Sequence, residues 1–430
     1  MPIRHIKRAR GLTPSSEADI ADTVQVMLAR LRTGGAETAR DYARRLDGWH
    51  GEIRVSPEQI ARACAEVPDD LKAAIGYAHD TIRRFAQAQR ASVQDFQTDL
   101  HPGLTVGQKM IPVGCAGCYI PGGRYAHIAS ALMTVTTARA AGVPHVVAAT
   151  PTRGANGADP AILYTAHLAG ADTILQIGGV QGIAAMAWGQ FGTPPADVLA
   201  GPGNAYVAEA KRQLFGPLGI DMFAGPTDIL ILADATADPG LVALDLAGQA
   251  EHGTTSPCWL VTDHAPLAEA VARLMPDTLA SLPEPNRSAA TAAWDTLGEI
   301  ILCDTRTEMV AEADRLAPEH LHVQAADLDW WRDNLSVYGS LFLGAQTCVA
   351  FGDKASGPNH VLPTSGAARY TGGLSVHKFL KCVTWQSVDP SAQVPLARAT
   401  ATISRAEGMV GHAMTAEARL TPQPALRRLS

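Results

Sequence analysis

A carboxylate next to an imidazole is the smallest unit that can both give and take protons. Pro318-Glu-His-Leu321 places such a pair where a helical pattern gives way to an apolar strand. On one strand Glu319 and His320 would point to opposite faces, but at a strand end both can line one cleft. A second cluster closes the segment running from Asp238 to Gly253. Asp238 suits the cap, Pro239 the first helical position and Gly253 the end, so Gln249 and His252 share a face in the last turn. The loop Phe351-Gly-Asp-Lys-Ala-Ser-Gly-Pro-Asn-His360 adds Asp353 and His360, and His412 lies in a helical tail. Each has a plain structural reading when taken singly. The helix-end histidine meets the dipole, the loop is a polar turn, and the tail histidine is solvated.

Three glycine-rich breaks, Pro121-Gly-Gly123, Gly178-Gly179 and Gly201-Pro-Gly203, follow strand-like runs, where backbone can approach a phosphate. None fits G-x-G-x-x-G in context, and no G-x-x-x-x-G-K-[ST] occurs. Cys115-x-x-Cys118 has no second pair, which argues against a four-cysteine metal site. It reads as buried thiols, with redox chemistry as the other reading.

The elements that must position these groups come from 430 residues, a length that suggests two or three domains. With 47% hydrophobic and 18% charged residues, disordered and fibrous classes are excluded. A net charge of -7 argues against a nucleic-acid binder. No apolar run reaches the roughly 18–20 residues that span a bilayer. The basic start MPIRHIKRARG lacks an apolar stretch behind it, so it does not read as a secretory signal. Seven thinly spread cysteines fit a reducing cytoplasm, the expected location.

Residues 1–100 read as helical, with Asp19–Arg32, Ala36–Leu46, Pro57–Ala65 and Pro68–Ala88 carrying apolar residues at helical spacing. From Val113 short apolar runs alternate with helical patterns. Val146–Thr150, Thr173–Ile177, Asp197–Ala200 and Ile229–Leu232 are the strands of one set. Cys258–Thr262, Glu299–Cys303, Leu321–Gln324 and Ser340–Leu343 are those of another. This rhythm predicts parallel sheets covered by helices. The stretch from about Phe379 onward reads as helical again.

Taken together, these segments resemble the histidinol dehydrogenase family. The likeness is carried by Tyr119-Ile-Pro-Gly-Gly123, Gly178-Gly-Val-Gln-Gly182, Gly201-Pro-Gly-Asn-Ala-Tyr-Val-Ala-Glu-Ala-Lys211, Gln249-Ala-Glu-His-Gly253, Pro318-Glu-His-Leu321, Gly352-Asp-Lys-Ala-Ser-Gly-Pro-Asn-His360 and Ala406-Glu-Gly-Met-Val-Gly-His412. Ala116-Gly-Cys-Tyr-Ile-Pro, Arg124-Tyr-Ala-His-Ile-Ala-Ser130, Asp327-Leu-Asp-Trp-Trp331, Phe351-Gly-Asp-Lys-Ala-Ser and Gly366-Ala-Ala-Arg-Tyr370 with Gly373-Leu-Ser-Val-His-Lys-Phe379 are similar to its sulfopropanediol 3-dehydrogenase branch. The resemblance implies an α/β fold of two incomplete Rossmann-like parallel-sheet domains, with a helical N-terminal segment and a small helical C-terminal domain. It implies an extension at 1–14, a first sheet domain from 15–114 with 230–375, and a second at 115–229. The small domain is 376–430, reaching into a partner's active site in a homodimer.

By the same likeness Gln249, His252, Asp353 and His412 are zinc ligands, His412 coming from the second subunit, and Glu319 and His320 are the general bases. Tyr119, Gln181 and Asn204 match NAD-contacting positions. Thr227, Gln249, His252, His320, Asp353, His360, Glu407 and His412 match substrate positions, with Thr227 standing where serine is expected. The implied reaction oxidises an alcohol to an acid in two NAD-dependent steps through a bound aldehyde, without nucleic acid or membrane. The branch acts on 2,3-dihydroxypropane-1-sulfonate and yields 3-sulfolactate. A sulfonate needs donors, and His127, Lys354, Arg369, His377 and Lys378 supply candidates. Glu407 keeps L-histidinol as the alternative substrate. A non-catalytic zinc-stabilised binding protein and a thiol enzyme using Cys115 or Cys118 are rivals of other classes.

Overall fold

The computed structural model describes residues 3–11, 17–122, 126–222 and 225–420, so Gly123, Arg124 and Tyr125 of the quoted motifs lie outside the described residues. Its strands are β1 (Arg4–Lys7), β2 (Phe96–His101), β3 (Leu104–Pro112), β4 (Cys115–Tyr119), β5 (His145–Thr150), β6 (Thr173–Gln176), β7 (Val198–Ala200) and β8 (Gly219–Ile220), followed by β9 (Ile229–Ala233), β10 (Cys258–Thr262), β11 (Gly298–Leu302), β12 (His320–Gln324), β13 (Ser340–Leu343) and β14 (Leu380–Val388).

Two compact units emerge. The first, residues 3–90 and 113–379 among those described, holds two sheets. One runs β6-β5-β4-β7-β8, all parallel. The other runs β1-β11-β10-β9-β12-β13, parallel except for β1 at its edge. The strand order reverses at β4 in the first sheet and at β9 in the second; α/β sheets bind ligands at such reversals outside the carboxyl ends of the strands. Strands β4, β5, β6 and β9 are buried along nearly their whole length, which is why they read as apolar runs without alternation.

The N-terminal helices cover the β4–β8 sheet. Val24, Leu28 and Leu31 share one core with Val180, Ile183, Leu199 and Val207. The two N-terminal helices expected on either side of Gly34-Gly35 are both present within Glu17–Asp47, separated where Gly35 leaves the helical region at φ 58 and ψ -146. A positive φ costs glycine little, so the chain turns there from one helix into the next.

The second unit comprises residues 91–112 and 380–420 among those described. It contains the antiparallel sheet β14-β3-β2 and the helices Pro390–Ala406 and Val410–Glu417. Two stretches read as helical are strands here. Phe96–His101 and Leu380–Val388 both pair with β3, and the cross-strand ladder outweighs their weak helical spacing.

Candidate active site

The acid–base pair sits at the amino edge of its sheet. His320 is the first residue of β12 and lies opposite Ile229, the first of β9, so Glu319 and the preceding Thr227-Asp228 meet where the strand order reverses. The helix Pro239–Ala250 runs back from the carboxyl end of β9, and this return brings Gln249 to the same edge. Asp238 caps it as expected, accepting from the amides of Gly240 and Leu241.

Sequence reasoning missed the residue that orders this cluster. The buried carboxylate of Asp228 accepts from the Glu319 amide at 2.7 Å, and its backbone carbonyl receives His320 Nδ1 at 2.6 Å. Only an N–H can face a carbonyl, so His320 carries its proton on Nδ1 and presents Nε2 as an acceptor. Glu319 Oε2 accepts from the Thr227 hydroxyl at 2.5 Å and from the Asp228 amide at 3.2 Å. The Gln249 amide donates in turn to Thr227 Oγ1 at 2.6 Å. That bond points the NH2 group of Gln249 at Thr227, so its oxygen is turned toward another partner.

Electrostatics prepare the pair for proton transfer. Burial, with the Asp228 carboxylate nearby, raises the Glu319 pKa well above the ordinary range. Burial, with His360 close by, holds His320 well below the usual histidine value. Burial also brings His360 down to about 4 and pushes Asp228 up to about 7. Burial thus favours the uncharged form of both side chains, leaving His320 Nε2 as an acceptor and biasing Glu319 toward its protonated form.

Asp353 faces His252, His360 and Lys354. Burial alone would raise its pKa, but these neighbours hold it below the ordinary value. Lys354 Nζ contacts Asp353 Oδ2 directly. Among the described residues no three histidine, cysteine or carboxylate side chains gather closely enough to hold a metal by themselves. This chain's expected share is smaller: one imidazole, one carboxylate and the free oxygen of Gln249. The donor types suit zinc, and a positive charge already rests on Asp353, so the residues present fit a cation. Glu407 and His412 belong to the second unit and are exposed there. Gly352 keeps the loop close, because a Cβ there would stand 2.6 Å from Phe342 and 3.0 Å from His360.

The three residues expected to meet NAD lie around the reversal point of the other sheet. Tyr119 ends β4, and Asn204 caps the helix Ala205–Leu214 after β7, accepting from the Val207 amide. Gln181 is buried, donates to Asp47 at 3.1 Å, and leaves its Oε1 without a partner. An orphaned buried amide oxygen fits an N–H donor on a cofactor. The Gly178-Gly179 break does not offer open amides to a phosphate. Gly179 donates to Tyr119 Oη at 3.0 Å, and Asp47 accepts from Gly178. The Gly201 break is clamped instead. Its amide donates to Asp221 at 2.7 Å and its carbonyl accepts from Lys211 at 2.9 Å, while Lys211 and Asp221 form a buried ion pair. Gly201 has φ +117, and a Cβ there would meet the Tyr119 carbonyl at 2.0 Å.

The remaining candidates separate by place. His127 is close enough to Asp353, Lys354 and His252 to feel their charges. The Arg369 guanidinium is committed to the carbonyls of Gly366 and Arg315. His377 and Lys378 line a cavity of about 460 Å³ with Tyr370 and Gln89. Cys115 and Cys118 lie three apart on β4, so they point to opposite faces. Burial pushes their thiols up to about 11 and about 12, which suits inert side chains. No helix among the described residues is long and apolar enough to cross a membrane.

The histidinol dehydrogenase family profile matches residues 12–420. A histidinol dehydrogenase homolog of Ruegeria pomeroyi is 70% identical over all of this chain and 99% of its own. A sulfopropanediol 3-dehydrogenase of the same organism is 58% identical over 98% of this chain and 97% of its own. Among solved structures, histidinol dehydrogenase from Elizabethkingia anophelis aligns with a TM-score of 0.90 at 32% identity, covering 96% of this chain and 94% of that one.

Proposed function

The chain belongs to the histidinol dehydrogenase family, whose members are NAD-dependent dehydrogenases acting on CH–OH donors, and we propose that it oxidises 2,3-dihydroxypropane-1-sulfonate to 3-sulfolactate. The observation that carries the chemistry is the buried Glu319–His320 pair seated on Asp228, with the carboxyl pKa raised and the imidazole pKa lowered by burial. Each of two successive oxidations releases a proton, and this pair offers an acceptor for each. The choice of substrate rests on the 58% identical relative.

His320 Nε2 accepts the proton of the substrate hydroxyl, and the hydrogen bond from Nδ1 to Asp228 steadies the ring as it gains charge. At the aldehyde stage Glu319, once ionised, takes a proton from water. Its Oε2 is anchored by Thr227 and the Asp228 amide, and no hydrogen bond among the described residues engages Oε1, which is left to face that water. Gln249, His252 and Asp353 would hold zinc, with His412 supplied by a second copy of the chain in a homodimer. When bound, zinc would favour the ionised form of the alcohol, and Tyr119, Gln181 and Asn204 would hold the NAD+ that serves as hydride acceptor.

L-Histidinol is the second reading, favoured by Glu407, whose carboxylate would suit a cationic amine. Steady-state NADH formation by the zinc-loaded protein separates the two. Turnover of the sulfonate is expected, and turnover of histidinol alone would reject the substrate assigned here. A non-catalytic binding role predicts that Glu319→Gln and His320→Ala leave function intact.

A further inference from the structure

Lys354 sits where a substrate anion and a metal would compete for charge. It is the last residue of the helix Val349–Lys354, and its side chain is 66% exposed while its ammonium rests on Asp353. His127, His252 and His360 all feel its charge, so the ammonium is central to the cluster. A divalent cation on Asp353 binds that carboxylate more strongly than one ammonium does, and the two positive charges repel at such range. Lys354 has a flexible, largely exposed stem that lets it turn away. The neighbouring carboxylates are already engaged: Glu251 by Asn286, Asp228 by the Glu319 amide, and Glu319 by Thr227.

We propose that Lys354 is an exchangeable counter-ion of Asp353, which neutralises the carboxylate before metal loading and then binds the anionic end of the substrate. The second role rests on the sulfonate reading above; the first does not. Together they make Lys354 a specificity residue for alcohols that carry a sulfonate or similar acidic group.

The test uses the full-length chain, wild type against Lys354→Met and Lys354→Arg, with two readouts. Zinc affinity is measured by competition with a chromophoric chelator. The ratio of kcat/KM for 2,3-dihydroxypropane-1-sulfonate to that for glycerol, its neutral counterpart, is measured on the zinc-loaded protein. Lys354→Met is expected to bind zinc at least fivefold more tightly and to lower the ratio at least tenfold, and Lys354→Arg is expected to keep the ratio within about threefold of wild type. Unchanged zinc affinity would overturn the counter-ion role, and an unchanged ratio the anion role. A wild-type chain that oxidises histidinol but not the sulfonate would defeat the substrate reading and the anion role together. The zinc measurement would still decide the counter-ion role alone.

Discussion

His320 and His360 meet through their Nε2 atoms at 2.8 Å, with ring centroids 4.6 Å apart and planes 24° from parallel. One nitrogen must donate and the other accept. The bond from His320 Nδ1 to the Asp228 carbonyl decides which, leaving His320 the acceptor and His360 the donor. In the proposed reaction a substrate hydroxyl would take the place of the His360 N–H, meeting an acceptor nitrogen already oriented by Asp228.

Replacing His320 by Asn removes that acceptor. Turnover should fall about 10²–10⁴-fold, with zinc content and the thermal transition retained. Because burial and His360 depress the His320 pKa, the wild-type ring stays neutral below the ordinary histidine range. The acid limb of kcat/KM against pH should therefore lie below about 6.5. A limb at or above that value would assign the base elsewhere.

Glu319→Gln keeps an oxygen for Thr227 but cannot accept a proton from water. The alcohol step should persist in part while the aldehyde step stalls. Counting NADH against alcohol consumed, with an aldehyde trap present, should show the yield fall from two toward one. A yield of two at a uniformly lowered rate would make Glu319 a structural residue.

Asp228 gives stability a pH dependence of known sign. Its carboxyl keeps a proton up to about 7 in the fold but releases it near the ordinary aspartate value when unfolded. Its contribution is complete below about 4 and is lost as pH rises through about 7. Asp228→Asn lacks this loss. The melting temperature of the variant minus that of wild type should become more positive between pH 5 and pH 8, reflecting a few kcal/mol. A difference that does not change with pH would remove the buried carboxyl as its source.

The clamp on Gly201 is open to the same treatment. Lys211→Met leaves the Asp221 charge buried without its ion partner, at a cost of about 3–5 kcal/mol. It also frees the Gly201 carbonyl, so the KM for NAD+ should rise while the KM for the alcohol changes little. Adding Asp221→Asn should recover stability but not the NAD+ KM. If both parameters return together, the ion pair has only a structural role.

What the sequence disclosed follows the range of each interaction. Glu319 and His320 were legible because a helix ending and an apolar run beginning are local signals, and the Asp238 cap and Pro239 start likewise fixed the helix that presents Gln249. Asp228 was not legible, because it lies 91 residues from Glu319 and only the parallel pairing of β9 with β12 brings them together. Its one local trace is a charged residue directly before the apolar run Ile229-Leu-Ile-Leu232. The strand Leu380–Val388 stayed hidden for a related reason. Its partner β3 is far away in sequence, and most of its residues are exposed, which weakens the alternating pattern.

The most direct measurement is the NADH yield per molecule of 2,3-dihydroxypropane-1-sulfonate consumed by the zinc-loaded protein, with the product identified by mass. Two NADH and 3-sulfolactate are expected. No NADH from the sulfonate, with L-histidinol turned over in the same preparation, would contradict the assignment.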